Sequence, residues 1–321
     1  MRAVRMHETG GPEVLRIEDI ETPSPGRGQV LIRTAAAGVN FIDTYHRRGL
    51  YPLDLPVTLG VEGSGVVEAV GLGVEAVQEG DRVAYVNQQG SCAETALVSV
   101  DAVVAVPHEV DLTHAAALML QGCTAHYLSH SAFPLRGGHT ALVHAAAGGV
   151  GHLLVQLAKR RGARVIATAS TPKVEFARRV GADDVIDYTK ADFHEQVKEL
   201  TSGLGVDVVY DAVGRDTFHR SLECLRPRGY MVLYGQSSGS VEPVDPQVLN
   251  RKGSLFLTRP SLAHYLADRE ELQQRSGDLF RWLTAAELEV RIDRTLPLEG
   301  AAEAHRYLED RRTTGKLLLV P

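Results

Sequence analysis

The sequence predicts an α/β protein in which a β-rich N-terminal region precedes a doubly wound parallel sheet. Three observations carry this. From residue 1 to about 121 the segments are short, β-branched and broken by turn residues, as in "VLIRTAAAGVN", "GSGVVEAVG", "DRVAYV" and "AETALVSV". That is the texture of an all-β unit. From about 122 to 260, apolar runs alternate with stretches of helical period, and repeated units of this kind bury a parallel sheet under helices on both faces. Between the first of those runs, "TALVHA", and its helix stand Gly148, Gly149 and Gly151.

Within the β-rich region a helix is expected to start near Asn40. The second region then reads "TALVHA" followed by "GGVGHLLVQLAKRRG", "RVIATA" by "PKVEFARRVG", and "DVIDY" by "ADFHEQVKELTSG". The series continues with "VDVVYDAVG", a helix over "DTFHRSLECLRP", and "GYMVLYG", and the apolar run "GSLFLTRPS" (253–261) closes it. Beyond it "SGDLFRWLTAAEL" and "AAEAHRYLEDRR" read as helices and "KLLLVP" as a terminal strand. No second core is evident after 260, so the tail is expected to fold back onto the first domain. The expected segments are 1–121, 122–260 and 261–321.

The 34 Lys and Arg against 40 Asp and Glu leave a net charge of −6, without the basic footprint of a nucleic-acid-binding protein. Three cysteines, Cys92, Cys123 and Cys224, lie far apart with no C-x-x-C, which argues against a disulfide framework or a cysteine-based zinc site. No stretch of about 18 apolar residues occurs, and "MRAVRMHETGGPEV" lacks the apolar core of a signal peptide. The expectation is a cytoplasmic protein without a membrane partner.

Glycines where a strand hands over to a helix let the backbone approach a ligand closely, and the helix N-terminus presents unpaired amides that attract phosphate. Ala146, Gly148 and Gly151 fit the dinucleotide fingerprint with alanine in its first place. A carboxylate about 20 residues later would bind the ribose of NAD. None stands from Val165 to Lys173; Ser170, Thr171 and Lys173 offer hydroxyls and a cation instead, which suits the 2′-phosphate of NADPH. Two other patterns carry less. His126 and His130 have metal-like spacing, but 13 histidines make such a pair easy by chance. "GQSSG" (235–239) matches a nucleophile elbow, yet Pro243 and Pro246 break the helix that chemistry needs.

With these segments in place, the chain resembles the medium-chain dehydrogenase/reductase superfamily, in particular its zinc-free quinone oxidoreductases, which include the zeta-crystallins. The resemblance covers nearly the whole chain and is carried by "GGPEVL" (10–15), "GVNFIDTYHRRGLYP" (38–52), "GVEGSGVVEAVG" (60–71), "GDRVAY" (80–85), "HAAAGGVG" (144–151), "YDAVGRDT" (210–217) and "GSLFLTRPS" (253–261). It implies a GroES-like β-domain, a Rossmann domain and a cofactor cleft between them. In zinc-dependent relatives a cysteine ligand stands where this chain has Asn40 and a histidine where it has Val61, and their four-cysteine loop is matched only by Cys92. The resemblance therefore implies no metal.

Carried over by position, the resemblance implies a cofactor site of Asn40, Phe41, Ile42, Asp43 and Tyr45 with Tyr127, Gly149, Val150, Ser170, Lys173, Tyr188 and Val213. The loop Ser237, Ser238, Gly239 and Ser240 joins it, and Arg311 adds a contact on the phosphate side. The expected activity is reduction of a quinone or similar electrophile by NADPH, without metal. Asn40 would act as a neutral donor or positioning group, Asp43 would belong to the same catalytic group, and Tyr45 and Tyr51 would line the pocket and stack on flat substrates. The alternatives are a reductase of activated C=C bonds, of 2-alkenal or enoyl type, and a zeta-crystallin-like protein that binds NADPH and RNA with little turnover. The β-forming run 253–260 at the end of the sheet series predicts a homodimer, since an exposed edge is normally paired or covered.

Overall fold

The computed structural model describes all 321 residues. Two compact units form, one from residues 1–123 with 266–321 and the other from residues 124–265.

In the first unit, β1 (Arg2–Met6), β2 (Arg16–Asp19), β3 (Gln29–Val39), helix α1 (Phe41–Arg47), β4 (Val57–Thr58), β5 (Glu62–Val70), β6 (Arg82–Val86), β7 (Thr95–Ser99) and β8 (Val103–Ala105) follow one another. Strand β3 is the hub, pairing antiparallel with both β5 and β7. Its Val30, Ile32 and Ala36 are buried, and Val30 and Ile32 pack with Val67, Val83, Tyr85 and Val98. Helix α2 (Leu112–Tyr127) ends the β-rich stretch. The change of unit at residues 123 and 124 falls inside this helix, where no shift of composition marks it.

The second unit alternates β9 (Thr140–Val143), α3 (Gly149–Arg160), β10 (Arg164–Ala169), α4 (Val174–Arg179), β11 (Asp184–Asp187), α5 (Phe193–Leu200), β12 (Val206–Asp211), α6 (Phe218–Glu223), β13 (Leu225–Leu233), α7 (Gln247–Arg251), β14 (Phe256–Thr258) and α8 (Leu262–Tyr265). The helix read over "DTFHRSLECLRP" is shorter than expected, because Leu225 already belongs to β13. The strands run parallel in the order β11-β10-β9-β12-β13-β14. Counted from β9 this is 3-2-1-4-5-6, so the order reverses between β9 and β12, where open parallel sheets bind ligands beyond their carboxyl ends.

The chain then returns to the first unit through α9 (Arg269–Thr284), β15 (Ile292–Pro297), α10 (Ala301–Glu309) and β16 (Lys316–Val320). Helix α9 begins earlier than its apolar pattern indicated, because the Asp268 side chain accepts the amide of Glu270 and caps it. Strand β16 pairs antiparallel with β3 and parallel with β15. Leu317 and Leu319 thereby join Val4, Ala37, Val39 and Leu298 in one buried cluster. No helix is long and apolar enough to cross a membrane.

Candidate active site

In the second unit, β9 ends at Val143 and the chain turns through residues 144–147 into α3, with Gly148 as its N-cap. No side chain caps the first-turn amides of α3, which leaves them to a ligand. Gly151 is required by packing: a Cβ there would run into the carbonyl of Ala145 and the Cα of Ala146. Behind the turn lies a buried network in which His144 Nδ1 is 3.0 Å from Thr168 Oγ1 and Nε2 is 2.9 Å from Ser221 Oγ. Burial pushes the His144 pKa down, so it is held neutral. Asp211, at the end of β12, accepts the amides of Val213 and Gly214 and the hydroxyl of Thr217. The ends of β9, β10 and β12, each followed by expected site residues, are thus held by side-chain hydrogen bonds.

Beyond β10, Ser170 precedes and Lys173 ends a single tight turn, Thr171–Lys173, and both are half-buried. Thr171 departs from its expected role. Its hydroxyl donates to Asp187 Oδ2 at 2.7 Å and lies 2.8 Å from Thr189 Oγ1, so its proton is turned to a carboxylate rather than offered to a phosphate. Hydrogen bonds from Thr189 and Thr171 hold Asp187 down at about 2. A reading of carboxylates along β10 alone does not include Asp187, which stands at the end of β11, paired in register with Ala169.

Tyr188 is 44% exposed, and Val213 is half-buried at the start of the loop after β12. Ser238 is buried as a loop clip, its Oγ donating to Val213 O at 2.7 Å and accepting the amide of Asp216 at 3.0 Å. That engagement, and the irregular chain from 234 to 246, remove the nucleophile-elbow reading of 235–239. Gly239 and Ser240 continue the loop, with Ser240 exposed. Tyr127 lies deeper than expected, 1% exposed and stacked on Tyr265 at 4.2 Å. His126 and His130 stack at 4.1 Å, and neither belongs to a metal-holding group.

In the first unit, Asn40 caps α1 with extended backbone. Its side chain is fully engaged: Nδ2 donates to Glu62 Oε1 at 2.7 Å and Gly38 O at 3.3 Å, and Oδ1 accepts from Lys316 Nζ at 2.7 Å. Asn40 therefore has no donor left for a substrate, and of its two expected roles only positioning fits. Glu62 and Lys316, which the sequence reading did not select, are each 0% exposed. Phe41, Ile42, Tyr45 and Tyr51 are half-buried, with Tyr45 and Tyr51 packed edge to face at 5.4 Å. Arg311 is exposed in the last loop of the tail.

These residues do not make a zinc donor set. The Asn40 side chain is consumed and faces an ammonium, Val61 is apolar and buried, and burial pushes the Cys92 thiol well up.

Asp43 is 1% exposed; Oδ2 accepts the amide of Asn40 at 2.7 Å, and Oδ1 has no hydrogen-bond partner. Burial raises its pKa from 3.8 to about 7, against the opposing pull of the Asn40 amide and Lys316. Between those two values the native chain keeps a proton at Asp43 that the unfolded chain releases, so the contribution of this group to stability declines as pH rises from about 4 to about 7. Asp43→Asn is expected to flatten that decline by on the order of 1–3 kcal/mol, read from urea midpoints across the window. An unchanged slope would show that Asp43 ionises normally.

A parallel sheet in this order, with a glycine turn at its switch point, is a dinucleotide-binding domain; beside a β-rich unit built around β3, it defines a medium-chain dehydrogenase/reductase. The comparisons agree. Residues 26–132 match the alcohol dehydrogenase GroES-like domain, and residues 149–273 match the zinc-binding dehydrogenase domain. The chain is 44% identical to a 2-haloacrylate reductase of Burkholderia sp, over 99% of this chain and 98% of that protein. It is 45% identical to a quinone oxidoreductase of Pseudomonas aeruginosa, over 97% of each. Its structure superposes on that of Escherichia coli quinone oxidoreductase complexed with NADPH at a TM-score of 0.98 and 41% identity, covering 100% of both chains. The chain belongs to the quinone oxidoreductases of the medium-chain dehydrogenase/reductase superfamily.

Proposed function

We propose that this chain is an NADPH-dependent quinone reductase that works without metal and as a homodimer. The observation that carries the activity is the full-length likeness to the Escherichia coli quinone oxidoreductase complexed with NADPH. The residues present fit that cofactor. The uncapped first turn of α3 suits its diphosphate, Ser170 and Lys173 suit its 2′-phosphate, and Val213 with Ser237, Gly239 and Ser240 line the carboxyl ends of the neighbouring strands. Phe41, Ile42, Tyr45 and Tyr51 offer aromatic and apolar surface to a flat substrate, and Arg311 remains a candidate contact to a phosphate.

When bound, NADPH supplies a hydride; with one proton from water, a quinone becomes a hydroquinone. A reduced quinone spreads its charge over a conjugated ring, so it needs no Lewis acid of the kind that an alkoxide product requires. The protein's part is to hold two flat rings face to face and exclude other geometries.

A second reading, reduction of an activated C=C bond, is favoured by the 44% identity to a 2-haloacrylate reductase. Chelator-treated protein is expected to oxidise NADPH with a quinone panel at the untreated rate, and faster than with 2-haloacrylates or 2-alkenals. Faster turnover with the alkenes would install the second reading. Cofactor binding without consumption would leave a binding protein. Metal analysis that finds zinc needed for the rate would remove the metal-free mechanism.

The homodimer rests on β14, an edge strand paired only with β13, whose Phe256 and Leu257 are 49% and 37% exposed. Leu257→Glu is expected to convert a dimer to a monomer by light scattering. A wild-type monomer at micromolar concentration would end this part of the proposal.

A further inference from the structure

The polar cluster at the head of α1 is withdrawn from water, yet the reaction as described makes no use of its charges. Lys316 Nζ donates to Val39 O at 3.3 Å, to Asn40 Oδ1 at 2.7 Å and to Glu62 Oε1. Glu62 also accepts Asn40 Nδ2 through Oε1 and the amide of Leu120 through Oε2 at 2.6 Å. One ion pair thereby joins β16, β3, β5, α2 and the cap of α1. Room for it is made in β3, where a side chain on Gly38 would collide with the Glu62 carboxylate.

Stability alone does not account for such a pair. Desolvating two charges costs about as much as their attraction returns, and apolar replacements of similar volume are often as stable or more so. What the pair does provide is direction. Every polar atom of the Asn40 side chain is held by it or by Gly38, so Asn40 has one orientation, and Asn40 sets where α1 begins. The same helix carries Asp43 and Tyr45, with Tyr51 packed against it.

We propose that Lys316 and Glu62 are positioning residues for the reduction, acting through Asn40 to hold the start of α1 where turnover requires it. The proposal rests on the quinone reductase reading. Its test is the double variant Glu62→Gln with Lys316→Met, which removes both charges together. A glutamine at 62 can accept the Leu120 amide, while its NH2 meets the Asn40 Nδ2 donor and can bond Asn40 only if that amide turns over, so no buried charge is stranded and the native orientation of Asn40 is lost. The expected result is a urea midpoint near wild type, NADPH affinity by fluorescence titration within about threefold, KM for the quinone little changed, and kcat at least about tenfold lower. A pair that served only stability would give kcat back together with the urea midpoint, and that outcome overturns the proposal.

Should the double variant fail to fold, Asn40→Ala decides, because it leaves the Lys316–Glu62 pair in place. Loss of kcat at an unchanged melting temperature and unchanged NADPH affinity supports the positioning role, and an unchanged kcat overturns it. Wild-type protein measured alongside separates the two readings: if it fails to consume NADPH with any quinone, the proposed function falls on its own account.

Discussion

Replacing Arg47 with alanine is expected to destabilise the first unit by about 3 kcal/mol, the lower end of the range for breaking a buried ion pair. Arg47 closes the last turn of α1 and is 1% exposed. Its guanidinium donates to Gly10 O at 3.1 Å and to both oxygens of Glu309 at 2.9 Å, and it lies 3.1 Å from His305 Nδ1. Burial, helped by Arg47, pushes His305 down to about 3, so the imidazole is neutral and its Nδ1 accepts from the guanidinium. Alanine would strand these acceptors and open a cavity. Glu309 is 24% exposed in its side chain and can recover some hydration, which is why the lower end is expected. Lysine should recover only part of the loss, because a point ammonium cannot satisfy the carboxylate fork, the carbonyl and the imidazole together. Urea unfolding measures both variants; a loss under about 1 kcal/mol for alanine would mean that the returning tail does not clamp α1 through this side chain.

Lys173→Ala is expected to cost about 1.5–3 kcal/mol in NADPH affinity, roughly 10- to 150-fold, with little change for NADH. Lys173 ends the tight turn that follows β10, the strand whose carboxyl end receives the adenosine side of a dinucleotide in this topology. No carboxylate lies between Val165 and Lys173, so a 2′-phosphate placed there is expected to meet a cation and the Ser170 hydroxyl. Asp187 opposes it from the neighbouring strand, ionised throughout the physiological range because two threonine hydroxyls bond to it. The selectivity expected for NADPH is therefore the surplus of Lys173 over a nearby negative charge. Titration of the variant with both cofactors measures it directly. Equal losses for NADPH and NADH would place Lys173 away from the 2′-phosphate.

Much of the second unit was legible because its signals are local. The glycine turn after "TALVHA" reflects backbone that must approach Ala145 and Ala146 within a few residues of itself, and the amphipathic period of α3 concerns side chains one helical turn apart. The helix at Asn40 was visible for the same reason, through Asp43 in its first turn. The start of α9 was less visible, since a cap at Asp268 stands apart from the apolar pattern that the helix buries.

By itself, then, the sequence determined the alternation of strands and helices, the place and kind of the dinucleotide turn, and the absence of a carboxylate along β10. Each depends on residues close together in the chain. Only the tertiary structure decided that the Thr171 hydroxyl faces Asp187, that Tyr127 is buried against Tyr265, and that Asn40 is locked between Glu62 and Lys316. Lys316 and Glu62 stand 254 residues apart. In "KLLLVP" the lysine reads as an ordinary solvated strand end. Whether a charge is buried and paired is set by distance in space and by the loss of water, and neither quantity exists until β16 has returned beside β3.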